Sequence, residues 1–164
     1  MRLGLIADTH GKVRPEVHDA FARVDHILHA GDIGAAEVLE ELELLAPVTA
    51  VTGNVDSGVM RRRLPRVAEI ELDGFRVVVT HGDQLGSPAP EGLKAAFPRA
   101  DVIVFGHTHR ALIQNLPDFT VVINPGSAGP RRFGLAPSVA IMETEPGIPP
   151  RARIVPLGEV GAGS

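Results

Sequence analysis

Three short apolar runs alternate with two helix-like segments at the start of the sequence, and that alternation leaves few architectures open. Residues 3–7 (Leu-Gly-Leu-Ile-Ala) read as a buried strand. Behind Pro15, residues 16–23 bring Val17, Ala20 and Phe21 to helical spacing, continued by Val24. Residues 25–30 form a second strand run. Residues 35–45 then place Val38, Leu39, Leu42 and Leu45 on one helix face, with four glutamates elsewhere, and Pro47 breaks the helix. Residues 48–52 make a third strand. Strands joined by helical crossovers run parallel, so this part of the chain predicts a parallel sheet with helices against it.

The pattern then changes. Residues 67–72 and 75–80 flank Asp73-Gly74, a two-residue hairpin signal. Residues 83–92, rich in Gly, Pro and Ser, read as a loop of about ten residues that is either a lid or a connection. A short helix is expected over 93–97. Strand-like runs follow at 101–105, 111–116, 120–123, 138–143 and 151–155, and residues 158–164 should fray. Helices outside two packed sheets, parallel and antiparallel strands mixed, accommodate both halves. The readings place a single domain at residues 1–157 and a flexible tail at 158–164.

Composition removes several classes of function. A net charge of −4 provides no basic field for nucleic acid or anionic lipid, and the only aromatic residues are six Phe. With no cysteine, disulfides and thiolate metal sites are excluded. No apolar run approaches the roughly 20 residues of a membrane-spanning helix. The opening run lacks the apolar core and cleavage site of a secretory leader, so the expected location is the cytoplasm.

The chemistry lies where the apolar runs stop. Residues 3–7 lead to Asp8 and His10, 25–30 to Asp32, 48–52 to Asn54, 75–80 to His81, and 101–105 to His107 and His109. In open α/β sheets, ligands collect beyond the carboxyl ends of strands. These positions offer seven oxygen or nitrogen donors on five loops, too many for one ion and suited to two. Two ions about 3.5–4 Å apart are a standard arrangement for phosphate ester hydrolysis, with one carboxylate bridging them. Asp32, alone on its loop, is the natural bridge. Mixed nitrogen and oxygen ligation points to two divalent ions, Mn²⁺ first, with Ni²⁺, Zn²⁺ or Fe as alternatives, rather than Mg²⁺ or Ca²⁺ alone.

Asp8-x-His10, Gly31-Asp32, Gly53-Asn54, His81-Gly82 and Gly106-His107-Thr108-His109, in this order, resemble the calcineurin-like metallophosphoesterase family. The length and Asn124-Pro125-Gly126-Ser127 resemble its small bacterial and archaeal phosphodiesterase branch. The resemblance implies an α/β fold, a four-layer αββα sandwich of two mixed β-sheets flanked by helices. It also implies that Asp8, His10, Asp32 and His109 hold one metal, and that Asp32, Asn54, His81 and His107 hold the second. The implied activity is binuclear-metal-dependent phosphodiester hydrolysis, with a metal-bridging hydroxide attacking phosphorus in line. A small phosphate ester is the expected substrate. No membrane partner is expected, nor nucleic acid except as a substrate, and self-association is left open.

Two positions depart from the pattern. Many relatives carry a histidine after the asparagine, serving the transition state or the leaving group; here it is Val55, which can do neither. Asp83 stands where some relatives have another histidine. Asp56 is read as a residue that orients a ligand or water near the site, and Arg132 as a substrate contact through its guanidinium. The run Arg61-Arg62-Arg63 is a solvated stretch that could attract anions. His18, His26 and His29 are read as structural or surface residues, since none follows a strand end. Two alternatives remain: a phosphomonoesterase acting on nucleotides or phosphoprotein, and a metal-binding protein-interaction scaffold without turnover, as in a eukaryotic trafficking-complex subunit of the same fold.

Overall fold

The computed structural model describes residues 1–131 and 134–158. Its elements in order are β1 (Arg2–Ile6), α1 (Pro15–Ala20), β2 (His26–His29), α2 (Ala36–Glu43), β3 (Val48–Ala50), α3 (Gly58–Arg63), β4 (Val67–Leu72) and β5 (Phe75–Thr80). They continue with a 3₁₀ turn (Asp83–Leu85), α4 (Pro90–Ala96), β6 (Val102–Val104), β7 (Leu112–Asn115), β8 (Val121–Asn124), β9 (Ser138–Glu145) and β10 (Ile148–Pro156).

Two five-stranded sheets result, in the orders β10-β9-β1-β2-β3 and β4-β5-β6-β8-β7. The first has the expected parallel core β1-β2-β3, with β9 antiparallel to β1 and β10 antiparallel to β9. In the second, β5, β6 and β8 are parallel, and β4 and β7 close the edges antiparallel. Strand alternation sorts the core into layers. Leu3, Leu5 and Ala7 point between the sheets, where they meet Val77, Val79, Val102, Val104 and Ile123. Ile6 and Ile27 point the other way, under Val17, Phe21, Val38, Leu42 and Met60 of the first helical layer. Val78, Ile103 and Val122 face Leu93 of α4 on the far side. The order is therefore helix, sheet, sheet, helix. Gly4 lets α1 pack closely on β1: a Cβ there would lie 2.8 Å from the buried Phe21 ring.

The Asp73-Gly74 hairpin forms as read, with φ of 51° and 84° at the two turn residues and in-register pairing from Val67↔Thr80 to Leu72↔Phe75. One reading needs correction. The stretch 83–92 is not a continuous loop, because it contains the 3₁₀ turn and α4 begins at Pro90 rather than Leu93. Arg61, Arg62 and Arg63 are exposed, as read, and form the last turn of α3. That helix is capped by Ser57 accepting from the Met60 amide at 3.3 Å and anchored by the buried Met60 side chain. A six-residue helix with one buried apolar anchor leaves too little periodicity to read. Arg132 and most of the expected tail, residues 159–164, lie outside the described residues. No helix among the described residues is long and apolar enough to cross a membrane.

Candidate metal centre

All five donor-bearing loops follow the carboxyl ends of β1, β2, β3, β5 and β6, which the two parallel sheet cores bring to one edge of the sandwich. Backbone bonds stitch the loops together there. Asp8 N–H donates to Gly31 O, His10 N–H to Asp32 O, and Gly106 N–H to His81 O, at 3.0, 3.0 and 3.1 Å. Five donors adopt left-handed backbone: Asp8, His10, Asp32, His107 and His109, with φ between 51° and 71°. Such conformations are uncommon outside glycine and cost on the order of 1 kcal/mol or more each. The only other described non-glycine residues with positive φ are Asp73 and Phe119. Backbone strain is thus concentrated on the residues read as ligands.

Their side chains converge in two groups. Asp8, His10 and His109 each offer one ligand atom within 4.8 Å of the others, and so do Asp8, Asp32 and His81. His109 Nε2 lies 3.5 Å from Asp8 Oδ1, and His81 Nε2 lies 3.9 Å from the same oxygen. Asp32 Oδ2 stands between the groups, 3.2 Å from His81 Nε2 and 3.9 Å from His10 Nε2. Asn54 Oδ1 reaches His81 Nε2 at 3.1 Å. His107 is set further out, its ring edge-on to that of His81 with centroids 5.2 Å apart. Both carboxylates therefore face both groups, and Asp8 as well as Asp32 is placed to be shared.

The donor chemistry requires positive charge. Asp8 is fully buried, and neither carboxylate oxygen accepts a hydrogen bond from a described residue. A buried polar group left so costs about 1–3 kcal/mol, more when charged. His81 Nδ1 donates to Ala30 O at 2.8 Å, so the neutral ring turns a lone pair at Nε2 toward the oxygens of Asp32 and Asn54. Without a cation, acceptors face acceptors, and a proton fills the gap. Burial pushes the His81 pKa down, but hydrogen bonding to Asp32 and the charges of Asp8 and Asp32 outweigh it and leave the pKa raised. Burial pushes Asp32 up, yet His81, the Val55 N–H at 3.1 Å and His10 leave it lowered. These are the ligand types and protonation tendencies that a divalent ion replaces.

A ring of contacts fixes the loops. Asp56, 5% exposed, accepts from the Gly34 and Gly53 amides at 2.9 and 2.8 Å. It clamps the Asp32 loop to the Asn54 loop. Gly53 must remain bare, because a Cβ would collide with Asp32 Oδ1. Arg61 donates to Asn54 O at 2.9 Å. Val55 contributes its amide to Asp32 while its side chain is 53% exposed.

Three further residues emerge only in three dimensions. His29 is fully buried; its Nδ1 accepts from Gly31 N–H at 3.1 Å, and its Nε2–H donates to Thr9 Oγ1 at 3.0 Å. Thr9 passes the chain on to Ile33 O at 2.9 Å, so one imidazole joins the Asp8 and Asp32 loops. Burial, with the nearby His81 charge, lowers the His29 pKa to about 3 and keeps the ring neutral. Asn124 donates to Gly106 O and Thr108 Oγ1 at 3.1 and 3.0 Å, holding the His107 loop, and Ser127 Oγ donates to Asp8 O at 3.2 Å. The only sequence signal for these was Asn124-Pro125-Gly126-Ser127, quoted for resemblance rather than for contacts.

Comparison with known proteins places the chain in a family. The family model described as the calcineurin-like phosphoesterase superfamily domain matches residues 1–147. A probable metallophosphoesterase of Methanothermobacter thermautotrophicus is 38% identical over 154 residues, covering 88% of this chain and 87% of its own length. A phosphodiesterase of Methanocaldococcus jannaschii is 28% identical, with 88% of this chain and 94% of the relative covered. In overall fold the chain is similar to Vps29 of Entamoeba histolytica, with a TM-score of 0.78 and 21% identity, covering 96% of this chain and all of that one. A match over nearly the whole sequence, on a sandwich whose loops gather these donors at one edge, makes this chain a member of the calcineurin-like phosphoesterase superfamily.

Proposed function

We propose that the protein is a phosphodiesterase that works with two divalent metal ions. The observation that carries this reading is Asp8, a fully buried carboxylate with no hydrogen-bond donor among the described residues, facing ring nitrogens of His81 and His109. Asp8, His10, Asp32 and His109 would hold one ion; Asp32, Asn54, His81 and His107 the other, with Mn²⁺, Ni²⁺, Zn²⁺ or Fe suited to this donor set. When bound, the ions would lower the pKa of a shared water for in-line attack on phosphorus and offset charge on the phosphoryl oxygens.

The chain's own residues do the rest. His29, Asp56, Asn124 and Ser127 hold the loops so that the donors are positioned before substrate arrives. His81, fixed by Ala30 O, presents Nε2 to the centre in one tautomer. Val55 supplies no proton to a leaving alkoxide, so esters of acidic alcohols react fastest, since a positioned general acid contributes roughly 10²–10⁴-fold. That favours diesters with good leaving groups over monoesters. The filled set of donors favours turnover over a purely structural scaffold.

The test is hydrolysis of a chromogenic phosphodiester and of the matching monoester, after chelation and re-addition of single metals, with Asp32→Asn as control. Metal-dependent diester cleavage lost in Asp32→Asn supports the proposal. Equal or faster monoester cleavage, or no turnover with two ions bound, contradicts it.

A further inference from the structure

His109 has a second neighbourhood. Its loop also lines a groove of about 570 Å³. The groove is walled by Phe105 from the end of β6, Leu112 from β7, Pro88 from the segment before α4, and Leu135 and Ala136 from the segment before β9. Thr108, His109 and Arg110 supply its polar side. The volume falls within the usual range for small-molecule sites, roughly 300–1,000 Å³.

We propose that this groove is the subsite for one ester group of the phosphodiester, and that it selects an apolar, aryl-sized or alkyl group. The inference rests on the diesterase reading and adds the substrate class to it. A phosphodiester placed on the donor cluster must send its two organic groups in different directions. His109 belongs both to the cluster and to the groove wall, so one direction runs along this surface. The other described walls are almost all hydrocarbon, which accepts an aromatic or aliphatic group and rejects a second phosphate or a sugar, whose hydroxyls would lose water without gaining partners. Arg110 has an exposed side chain, and its guanidinium suits the phosphoryl end rather than the organic end.

The loop that joins groove to cluster is held in place. Thr108 Oγ1 accepts from Arg110 N–H at 3.2 Å and from Asn124 Nδ2 at 3.0 Å. The positions of His109 and of the groove wall are therefore set by one network. A second concave region, about 360 Å³ around Asp73, Phe75, Phe119 and Ile148, lies at the opposite, amino-terminal ends of the parallel strands. It shares no residue with the donor cluster.

The test has a binding arm and a kinetic arm. In the first, methyl-labelled protein with Zn²⁺ present is titrated with 1-naphthyl phosphate and with methyl phosphate. Burying about half of the naphthyl surface corresponds to tenfold or more in Kd, on the order of 25 cal/mol per Å². We expect that preference, with shifts at the Leu112, Leu135 and Ala136 methyls. Ala136→Trp, a change at an exposed position, should fill the groove and bring the two Kd values within about threefold of each other; Leu135→Ala should weaken the preference. In the second arm, methyl, phenyl and 1-naphthyl esters of p-nitrophenyl phosphate should show kcat/KM rising in that order.

Equal Kd values, or shifts confined to other methyls, would overturn the subsite. Diester cleavage at one rate across the series would overturn it as well, while leaving the phosphodiesterase reading standing. Naphthyl-selective binding at the groove without diester cleavage would do the reverse.

Discussion

Replacing His29 by asparagine separates the role of this residue from that of the donors it supports. In the folded protein the ring is neutral: burial, above all, lowers its pKa from 6.5 to about 3. In the unfolded chain it titrates at its ordinary value. Between those values the unfolded state binds a proton that the folded state does not, so stability rises with pH and is lost as pH falls. The slope is about 1.4 kcal/mol per pH unit, which amounts to about 2 kcal/mol between pH 6.5 and 5.

Asparagine cannot take up that proton. Its Oδ1 can still accept from Gly31 N–H, as Nδ1 does at 3.1 Å, but it cannot reach Thr9 Oγ1, which Nε2 meets at 3.0 Å. The lost hydrogen bond and the gap left behind cost about 1–3 kcal/mol at pH 7.5. The deficit should shrink by about 2 kcal/mol as pH is lowered to 5. Urea unfolding of both proteins in chelator, at pH 7.5, 6 and 5, measures the difference directly. The Asp8 and Asp32 loops share this ring, so metal affinity should also fall by roughly 10–100-fold. A stability gap that stays constant from pH 7.5 to 5 would refute the reasoning, because it would mean that His29 gains no protons on unfolding.

Asp56→Ala removes the acceptor of two backbone amides, Gly34 and Gly53, and should lower stability by about 2–4 kcal/mol in chemical unfolding while weakening metal binding in calorimetry. Gly53→Ala places a methyl against Asp32 Oδ1, so metal affinity should fall by at least about tenfold, read by calorimetry alongside a circular-dichroism check that the fold is kept. Val55→His puts a titratable ring at a half-exposed position beside the centre; kcat on alkyl esters should rise by up to about 10²-fold, and much less on p-nitrophenyl esters. A divalent ion at 100 times its Kd should stabilise the protein by about 2.7 kcal/mol, seen as a rise in Tm of roughly 5–10 °C that chelator reverses.

The sequence was most informative where structure is local. Each donor could be found because it follows an apolar run, and the Asp73-Gly74 turn could be read because its backbone requirement is met by two adjacent residues. The layer order followed from the mix of crossover and hairpin runs and from the family resemblance, and the helical spacing in α2 holds, with Val38 and Leu42 buried as the pattern demands. What was missed depends on contacts distant in sequence. Ser127 reaches Asp8 across 119 residues and Asn124 reaches Thr108 across 16, and no local pattern marks either pair. His29, read as structural or surface, is structural, but its partners Thr9 and Gly31 could not be named because they meet it only after β1 and β2 pair. Asp56, read as orienting a ligand or water, accepts from two backbone amides on the Asp32 and Asn54 loops, contacts that its sequence position does not announce. His107 stands beside His81 rather than within either tight group of three, so its place on the second ion remains the proposal made above.

The central claim is that donors on five loops hold two ions at one edge of the sandwich. Anomalous diffraction from a crystal soaked in Mn²⁺ tests it most directly. The account predicts two peaks about 3.5–4 Å apart, one among Asp8, His10 and His109 and one beside Asp32, Asn54 and His81, with the Asp32 carboxylate between them. A single peak, or none at saturating Mn²⁺, would contradict it.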